Sequence, residues 1–493
     1  MKTGPDFLIA SFIAGGPFAT SAGLLAAAVA AFSQVLVFYA HVGNVDVAMT
    51  FFFAWSLVAW LRALGMGAQD ESVQSDDGPR NGGPRAAGPL PAANRHILNR
   101  HSGNLQAHAA FGALGGAALA CKEAIYGAYV LPGAALVALA AWRAWRRWRG
   151  SISGHARDPR SAGQAHPVAP ESTSPAPPLV PSPPTDRWRP LAIAIPFAGP
   201  LLAGLALLVV YGFANNVLGN PSGFRAHVSY WTSGTGIAPW NDGFTGHATL
   251  LWTFVRRMAE GMSWPLLLLA IVGAALAWRR PRARWLLLPT ASYYLFTIAA
   301  VRFAYTRFTL PVVVLLAAAA GVGLSAAWRD STQRGWRPAL LLLYTLGLGH
   351  GLIYSLHGNL LLRADARYSA EAWLRANVPL DANIDSFGSR THLPRLDWLG
   401  YDSDRIDEDE FSAAHFQTDD DDRPAWLVLS EKTVGGLEGE QAALRDSLLA
   451  GEAGYELVLD AHGRSGLEPW LIRAWTESRI NPRIWILRRQ DDG

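Results

Sequence analysis

Two ionised side chains interrupt strongly apolar segments of the sequence: Asp46 in YAHVGNVDVAMTFFF and Lys122 in GGAALACKEAIYG. Burying an ammonium group in hydrocarbon costs about 2.5 to 3.5 kcal/mol, so Lys122 needs a compensating group. A local pair with Glu123, or extension of the lysine side chain to the membrane surface, would supply it. The interpretation that we favour is that Lys122 binds an anionic group such as a phosphate.

Asp46 has two interpretations that the sequence alone does not separate. A carboxylate beside an apolar wall is a candidate base for taking a proton from a substrate hydroxyl. The same carboxylate can cap the helix that follows it, because free amides and the helix dipole favour an anion at a helix N-terminus. We expect Asp46 and Lys122 to lie close together, where an anion carried by a lipid can reach both.

A third polar group lies in the segment VRFAYTRFTLP, which contains Arg302, Tyr305 and Arg307 between two apolar runs. These arginines fall on the side of the membrane that the other arginines avoid, as described below. A second contact with an anion would explain their position.

The segment from 211 to 247 combines aromatic and hydrogen-bonding side chains. A sugar ring needs an apolar face to stack on and partners for its hydroxyl groups, and this composition supplies both. The alternative is a belt of aromatic residues at the membrane surface. His247 has no second histidine four residues later, so the segment has no zinc-binding motif. The residues concerned are Arg225, His227, Tyr230, Trp231, Trp240, Asp242 and His247.

The composition places these residues in a membrane protein. Half of the 493 residues are apolar and 11% are aromatic, more than a soluble protein of this length requires. Nine segments approach the roughly 20 apolar residues that a helix needs to cross a bilayer. The third and fourth are predicted to form a hairpin that turns at Lys122 and Glu123, the alternative being one long tilted helix. The nine predicted spans lie near 18–40, 45–63, 105–120, 124–142, 190–211, 262–278, 285–301, 306–328 and 337–356.

Arginine clusters at 143–149, 279–284 and 329–337 all fall on one side of these spans, which predicts that this side is cytoplasmic. The predicted location is a bacterial inner membrane, with the N-terminus in the cytoplasm. The basic residues form no single patch, which excludes nucleic acid as a partner. The lone Cys121 excludes an intramolecular disulfide. The outer face then receives 41–46, Lys122 and Glu123, 212–261, 302–307 and everything after 356.

We predict two domains: a transmembrane domain over 1–357 and a small extracytoplasmic α/β domain over 358–493. Two cytoplasmic insertions, near 65–104 and 150–185, are rich in Gly, Pro, Ser and Asp and are predicted to be disordered. After residue 358, a helical pattern over 364–377 is followed by the strand-like runs AWLVL, YELVL and RIWIL. The acidic runs at 406–410 and 419–422 are interpreted as solvated loops rather than a cation site.

From Gly15 to Trp373 the chain resembles the GT-C membrane glycosyltransferases, specifically the family of protein O-mannosyltransferases and aminoarabinose transferases. FYAHVGNVDVAMTFF looks like the third and fourth helices of that family, and GGAALACKEAIYG looks like its Gly-rich helix that ends in Lys. TRFTLP is similar to an Arg-Tyr-x-x-x-Pro pattern, with Phe308 at the position of Tyr. AEAWLRANVP resembles the opening of the outer C-terminal domain.

The resemblance implies a polytopic α-helical GT-C fold and transfer of a hexosyl or pentosyl group from a polyprenyl phosphate to an acceptor hydroxyl. The acceptor, whether protein, lipid or glycan, is not specified. No cofactor is implied with certainty, although a divalent cation is compatible with the acidic residues. The family also carries an acidic loop near its N-terminus that this sequence lacks, so we expect that the natural chain extends upstream of Met1. Two alternatives remain: an inactive GT-C-like membrane protein, and a polytopic transporter, which the lack of an internal repeat disfavours.

The resemblance and the outer-face positions together assign roles to individual residues. Asp46 and Lys122 are expected to be catalytic, and Lys122, Arg302 and Arg307 are expected to bind the donor phosphate. The expected substrate-binding residues are His41, Asn44, Glu123, Arg225, His227, Trp240, Asp242, His247 and Tyr305.

Overall fold

The structure is a computed structural model that describes residues 4–14, 19–41, 45–66, 92–153, 194–232, 243–407, 410–416, 423–471 and 481–490. Helices account for nearly all of the described chain before residue 364. Thirteen of them are named here: α1 (Pro5–Ala14), α2 (Ala19–Ala31), α3 (Gln34–His41), α4 (Val45–Ala63), α5 (Ala92–Cys121), α6 (Gly127–Ser153), α7 (Ala198–Ala214), α8 (Pro221–Thr232), α9 (Phe244–Met262), α10 (Trp264–Ala277), α11 (Leu287–Tyr293), α12 (Leu310–Arg334) and α13 (Arg337–Arg363).

Five helices of the described residues are long and apolar enough to cross a membrane, and the number rises to seven if each of two bent helix pairs counts as one span. This supports a polytopic membrane protein, but the prediction of nine spans is wrong. The five are Val45–Ala63, Glu123–Arg149, Ile195–Ala214, Thr306–Ser331 and Arg337–Asn377, and the bent pairs are α2 with α3 and α9 with α10.

Two predicted spans fail for different physical reasons. The span at 105–120 lies within α5, but Asn104, Gln106 and His108 make that helix too polar to meet the requirement for a span. The span at 285–301 is helical but not one α-helix. It passes from a 3₁₀ turn (Ala283–Leu286) through α11 into a π turn (Tyr294–Ile298) and ends in Ala299–Val301.

Three other predictions are decided by the described residues. The chain breaks at Lys122, as predicted, so one long helix through 107–142 is excluded. The stretches predicted to be disordered are helical from Ala92 to residue 104 and from 150 to Ser153, and the rest of both insertions lies outside the described residues. The predicted outer loop at 212–261 contains α8 and nearly all of α9, because its aromatic and aliphatic residues recur at helical spacing.

The chain divides into two compact units, which are described separately. The first comprises 1–30, 42–257 and 269–340. Helices α5 and α7 of this unit approach closely where small residues meet. A Cβ added to Gly112 of α5 would lie 1.9 Å from the carbonyl oxygen of Ala203 on α7, and a Cβ added to Gly116 would lie 2.7 Å from the carbonyl oxygen of Leu207. Glycine on α5 is therefore required for α7 to pack at this distance, as in many membrane helix pairs.

The second unit comprises 31–41, 258–268 and 341–493. A five-stranded sheet in the order β2-β1-β3-β5-β4 forms its centre, in which β1 pairs in parallel with β2 and β3 while β5 is antiparallel to β3 and β4. Its elements after α13 are α14 (Ala366–Asn377), β1 (Ile384–Phe387), α15 (Leu396–Leu399), β2 (Ser403–Ile406), α16 (Ala413–Phe416), β3 (Trp426–Ser430), α17 (Glu431–Val434), α18 (Gly439–Ala450), β4 (Tyr455–Ala461) and β5 (Ile484–Arg489).

Both faces of the neighbouring strands β3 and β5 are largely buried, which is why these strands read as apolar runs. One face packs against α14, where Ala370 and Leu374 join Val428 and Ile486 in one core. The other face carries Phe387, Leu427 and Leu487, which pack against Phe411 and Leu448. The small C-terminal sheet was therefore predicted correctly, with three of its five strands.

Asn481 attaches this sheet to the end of α13. Its Oδ1 accepts a hydrogen bond from the backbone N–H of Ala366 at 2.7 Å, and its Nδ2 donates to the carbonyl of Ala364 at 3.0 Å. His357 on α13 adds a contact of 2.6 Å between its Nδ1 and the Ser465 hydroxyl. Because Asn481 is 1% exposed, these bonds form in a low-dielectric setting where an unpaired amide would be costly.

Glu371 of α14 is a buried carboxylate of the second unit with three hydrogen-bond donors. It accepts from the Arg395 guanidinium at 2.8 and 2.7 Å and from the backbone N–H of Arg395 at 3.1 Å. These bonds with Arg395 hold the pKa of Glu371 below its ordinary value. At pH values above the pKa that Glu371 has in the unfolded chain, the charged carboxylate therefore stabilises the fold. This stabilisation is lost as the pH falls through the lower pKa that Glu371 has in the folded protein.

We predict that Glu371→Gln destabilises the second unit by about 1 to 3 kcal/mol at neutral pH, because a charge-assisted pair becomes a weaker neutral one. Hydrogen exchange of the α14 amides should accelerate, and the difference from wild type should shrink as the pH is lowered below about 4. Glu440→Gln, at an exposed position of α18, is the matched control. Equal protection of α14 in both variants would contradict the assignment.

Candidate functional site

The two charges expected to lie close together in the first unit form an ion pair. Lys122 Nζ is 2.5 Å from Asp46 Oδ1. The Asp46 side chain is 1% exposed and that of Lys122 is 21% exposed, so an approaching molecule meets the ammonium and not the carboxylate. The partner of Lys122 is thus Asp46, rather than the neighbouring Glu123 that the local-pair interpretation requires.

A break between two helices positions Lys122. Helix α5 ends at Cys121, Lys122 adopts an extended backbone (φ −163°, ψ 116°), and a 3₁₀ turn over Glu123–Tyr126 leads into α6. From this extended position between two helices, the Lys122 side chain reaches Asp46 on α4. A lysine in the middle of one continuous helix would lack this freedom, because helical side chains follow the helix surface.

Hydroxyl groups from the irregular segment 287–298 fix this turn. Thr297 Oγ1 donates to the carbonyl of Ala124 at 2.8 Å, and Ser292 Oγ accepts from the backbone N–H of Leu131 at 3.0 Å while donating to the carbonyl of Gly127. The Ala124 carbonyl lies in the 3₁₀ turn after the break, and Ser292 bridges Gly127 and Leu131, which are four residues apart in the first turn of α6. The sequence interpretation missed both residues, although two hydroxyls within an apolar run were a signal for them.

Asp46 lies in the first turn of α4, as the helix-capping interpretation expects. Tyr129 on α6 holds α4 in place, because its hydroxyl and Ser56 Oγ are 2.9 Å apart and its ring contacts Phe53 at 5.8 Å between centroids. The pair of charges therefore joins three helices, with Asp46 on α4 and Lys122 between α5 and α6.

Phe308 links the ion pair to a second cation. Its ring centroid is 5.7 Å from Lys122 Nζ and 5.8 Å from Arg307 Cζ, so both cations use the same aromatic ring. Arg307 also lies 5.2 Å from the ring centroid of Tyr305. Its Nε is buried and has no hydrogen-bond partner among the described residues. The arrangement offers an anion one ammonium and one guanidinium.

Glu123 and His227, both expected to bind substrate, contact each other on the same unit. Glu123 Oε1 and His227 Nε2 are 2.8 Å apart, and both side chains are partly exposed. The contact joins the turn after Lys122 to α8. It gives the site a pair of groups that can accept and donate hydrogen bonds, which is what a sugar hydroxyl requires.

Of the remaining expected site residues, Tyr305 belongs to the same cluster, because its ring contacts Phe308 at 5.7 Å between centroids. Arg225 and His247 are exposed on α8 and α9. Arg302 has a left-handed backbone conformation (φ 61°) at the end of the short helix Ala299–Val301. Asn44, Trp240 and Asp242, and the side chain of His41, lie outside the described residues.

Among the described residues, no group of three or more His, Cys, Asp or Glu side chains converges in a way that could hold a metal ion. Asp46 is neutralised by Lys122, which leaves little negative charge for a cation at this position.

Comparison of the chain with known protein families, with curated proteins and with solved structures found no match.

We predict that Asp46 and Lys122 are strongly coupled. Asp46→Asn and Lys122→Met should each destabilise the protein by about 3 to 5 kcal/mol, because each leaves one buried charge without its partner. The double variant should lose much less stability than the sum of the losses in the two single variants, since neither charge remains. Unfolding of the wild type, the two single variants and the double variant, each purified in mixed micelles, measures the four free energies of unfolding. Additive losses would contradict the pairing.

Proposed function

We propose that this chain is a membrane glycosyltransferase of the GT-C type, which moves a sugar from a polyprenyl-phosphate donor to an acceptor hydroxyl at the outer face. The observation that carries the proposal is the position of Lys122: a partly exposed ammonium at a helix break, held from behind by a buried carboxylate. A fixed cation with one open side suits the phosphate of a lipid that approaches from the bilayer.

In such a reaction the acceptor oxygen attacks the anomeric carbon, the bond from that carbon to the phosphate oxygen breaks, and a base takes the hydroxyl proton. The polyprenyl phosphate leaves with additional negative charge. Lys122 and Arg307 stabilise that charge without moving, because Asp46 and the Phe308 ring already hold them.

Asp46 is a positioning residue in this proposal. At 1% exposure its carboxylate cannot contact an acceptor hydroxyl while it is paired with Lys122, so a role as the base would require the pair to separate. The more exposed pair of Glu123 and His227 is better placed to contact the sugar or the acceptor.

A transporter of anionic molecules is the second candidate, and the helix breaks favour it. Transporters build substrate sites from discontinuous helices, and the chain breaks at Lys122 and again through the π turn Tyr294–Ile298. The two candidates differ in outcome, since a transporter moves an intact solute across the bilayer and a transferase leaves a new glycosidic bond.

Reconstitution into liposomes with labelled polyprenyl-phosphate sugars and a mixture of acceptors tests the proposal. We expect labelled sugar to leave the donor lipid, and we expect Lys122→Met to lower kcat by about 10² to 10³-fold, because a group that stabilises the leaving phosphate is lost. Asp46→Asn should also reduce kcat, whereas transfer at the wild-type rate in Lys122→Met would contradict the assignment.

Arg307→Gln and Arg279→Gln form a matched pair for the second cation. Each removes one arginine, but Arg279 is exposed and is predicted to face the cytoplasm. We expect only Arg307→Gln to lower kcat, by about tenfold or more. Uptake of an intact solute with no transfer from any donor lipid would favour the transporter.

A further inference from the structure

A cavity of about 130 Å³ lies between α5, α6 and the beginning of α7 in the first unit. Its lining includes Asn104 and His108 of α5, Arg143 and Arg147 of α6, and Ala198 of α7. His108 is buried and packs against α7 at Gly199, where an added Cβ would lie 2.8 Å from His108 Nε2. The space is several times what one water molecule needs, and it suits a group the size of a phosphate.

The two arginines bring positive charge to this cavity. They are one helical turn apart on α6, so both guanidinium groups line the same space. No Asp or Glu occurs in α5, in α6 or in the segment 195–214 that contains α7. Arg143 forms no ion pair with any residue that the structure describes. The charge of the cavity therefore favours an anion from outside the protein.

The position of the cavity along α6 matches the depth of lipid headgroups. At 1.5 Å per residue, Arg147 lies roughly 30 Å along the helix from Gly127, which is about the thickness of the hydrocarbon core. Trp142 and Trp145 are exposed on the same stretch of α6. Exposed tryptophans of membrane proteins gather at the headgroup region. The two arginines are thus at the depth where the phosphates of a bilayer lie.

An apolar stripe on α7 continues from the cavity. Leu201, Leu205 and Leu208 are each more than half exposed, and they follow Ala198 at helical spacing on one face of α7. Acyl chains pack on such a face, whereas a free phosphate ion makes no contact with it. The cavity and the stripe together fit an amphiphile that has an anionic head.

We propose that this cavity binds the phosphate of an anionic phospholipid, whose acyl chains lie along the leucine stripe of α7. The guanidinium groups of Arg143 and Arg147 donate hydrogen bonds to the phosphate oxygens, which is a geometry that arginine forms well. Basic pockets between membrane helices commonly hold lipid headgroups in this way. The site is separate from Lys122 and does not depend on the proposed transferase activity.

Native mass spectrometry of the full chain in detergent, with dioleoylphosphatidylglycerol as the probe, tests the proposal. We expect the wild type to retain this lipid. Replacing both cavity arginines, Arg143→Gln together with Arg147→Gln, should raise the apparent Kd by about tenfold or more, because charge-assisted hydrogen bonds are lost. An unchanged Kd in this double variant would overturn the site.

The neighbouring arginines of α6 provide a matched control. Arg146→Gln together with Arg149→Gln removes the same charge from the same part of the helix, but these guanidinium groups lie over the rings of Trp142 and Trp145, at 4.8 and 4.0 Å from the ring centroids. The control should bind the lipid as the wild type does. Equal weakening in both double variants would indicate general attraction to a basic surface and would contradict a specific cavity.

Two further probes test the chemistry of the ligand. Dioleoylphosphatidylcholine has the same acyl chains but no net charge, so we expect it to bind about tenfold more weakly than the anionic lipid. Equal affinity for both lipids would contradict selection of an anionic headgroup. Excess inorganic phosphate should not displace the bound lipid, because it lacks the acyl chains. Displacement would show that the cavity is a site for free phosphate.

Ala198→Phe tests the space rather than the charge. The larger side chain fills the cavity from α7 and leaves both arginines in place, so we expect it to weaken binding of dioleoylphosphatidylglycerol by about tenfold. Thermal unfolding in the same detergent checks that the variant is folded. Wild-type affinity in a folded Ala198→Phe protein would show that the lipid binds elsewhere.

Discussion

A buried charge in an apolar setting must be neutralised, and the first unit is organised around that constraint. The ion pair of Lys122 and Asp46 requires an extended residue between two helices, so α5 must end where it does. Thr297 and Ser292, from a segment that is itself irregular, bond to the backbone of the turn after the break and of the first turn of α6. Local departures from regular helix thus occur together because one electrostatic requirement imposes them.

The second unit depends on a different kind of constraint, the satisfaction of backbone groups at the end of a long helix. Asn481 bonds to the backbone on both sides of the step from α13 to α14, and this fixes where the sheet begins relative to the helix. The two faces of the sheet then bury separate apolar clusters. Ionic contacts such as that of the buried Glu371 with Arg395 are added to this framework.

The sequence predicted those elements whose apolar pattern is strong. Helix α14 and strands β3, β4 and β5 have such patterns, whereas β1 and β2 contain Asp, Ser and Arg and were missed. The number of spans was wrong because α5 is too polar to qualify and because hydropathy does not reveal the 3₁₀ and π turns between Ala283 and Ile298. Asp46 and Lys122 were found because ionised residues are rare in apolar runs. Their direct bond was not, because it depends on the backbone angles of Lys122.

The strand order of the C-terminal sheet has a consequence for the order of biosynthesis. Strand β5 leaves the ribosome after every other strand, yet it lies between β3 and β4. Until it emerges, β3 has an unpaired edge and β4 has no neighbour in the sheet. Asn481, which precedes β5, is likewise made long after α13. The nascent domain must therefore stay incomplete until translation reaches this segment, with hydrophobic edges open to chaperones in the meantime.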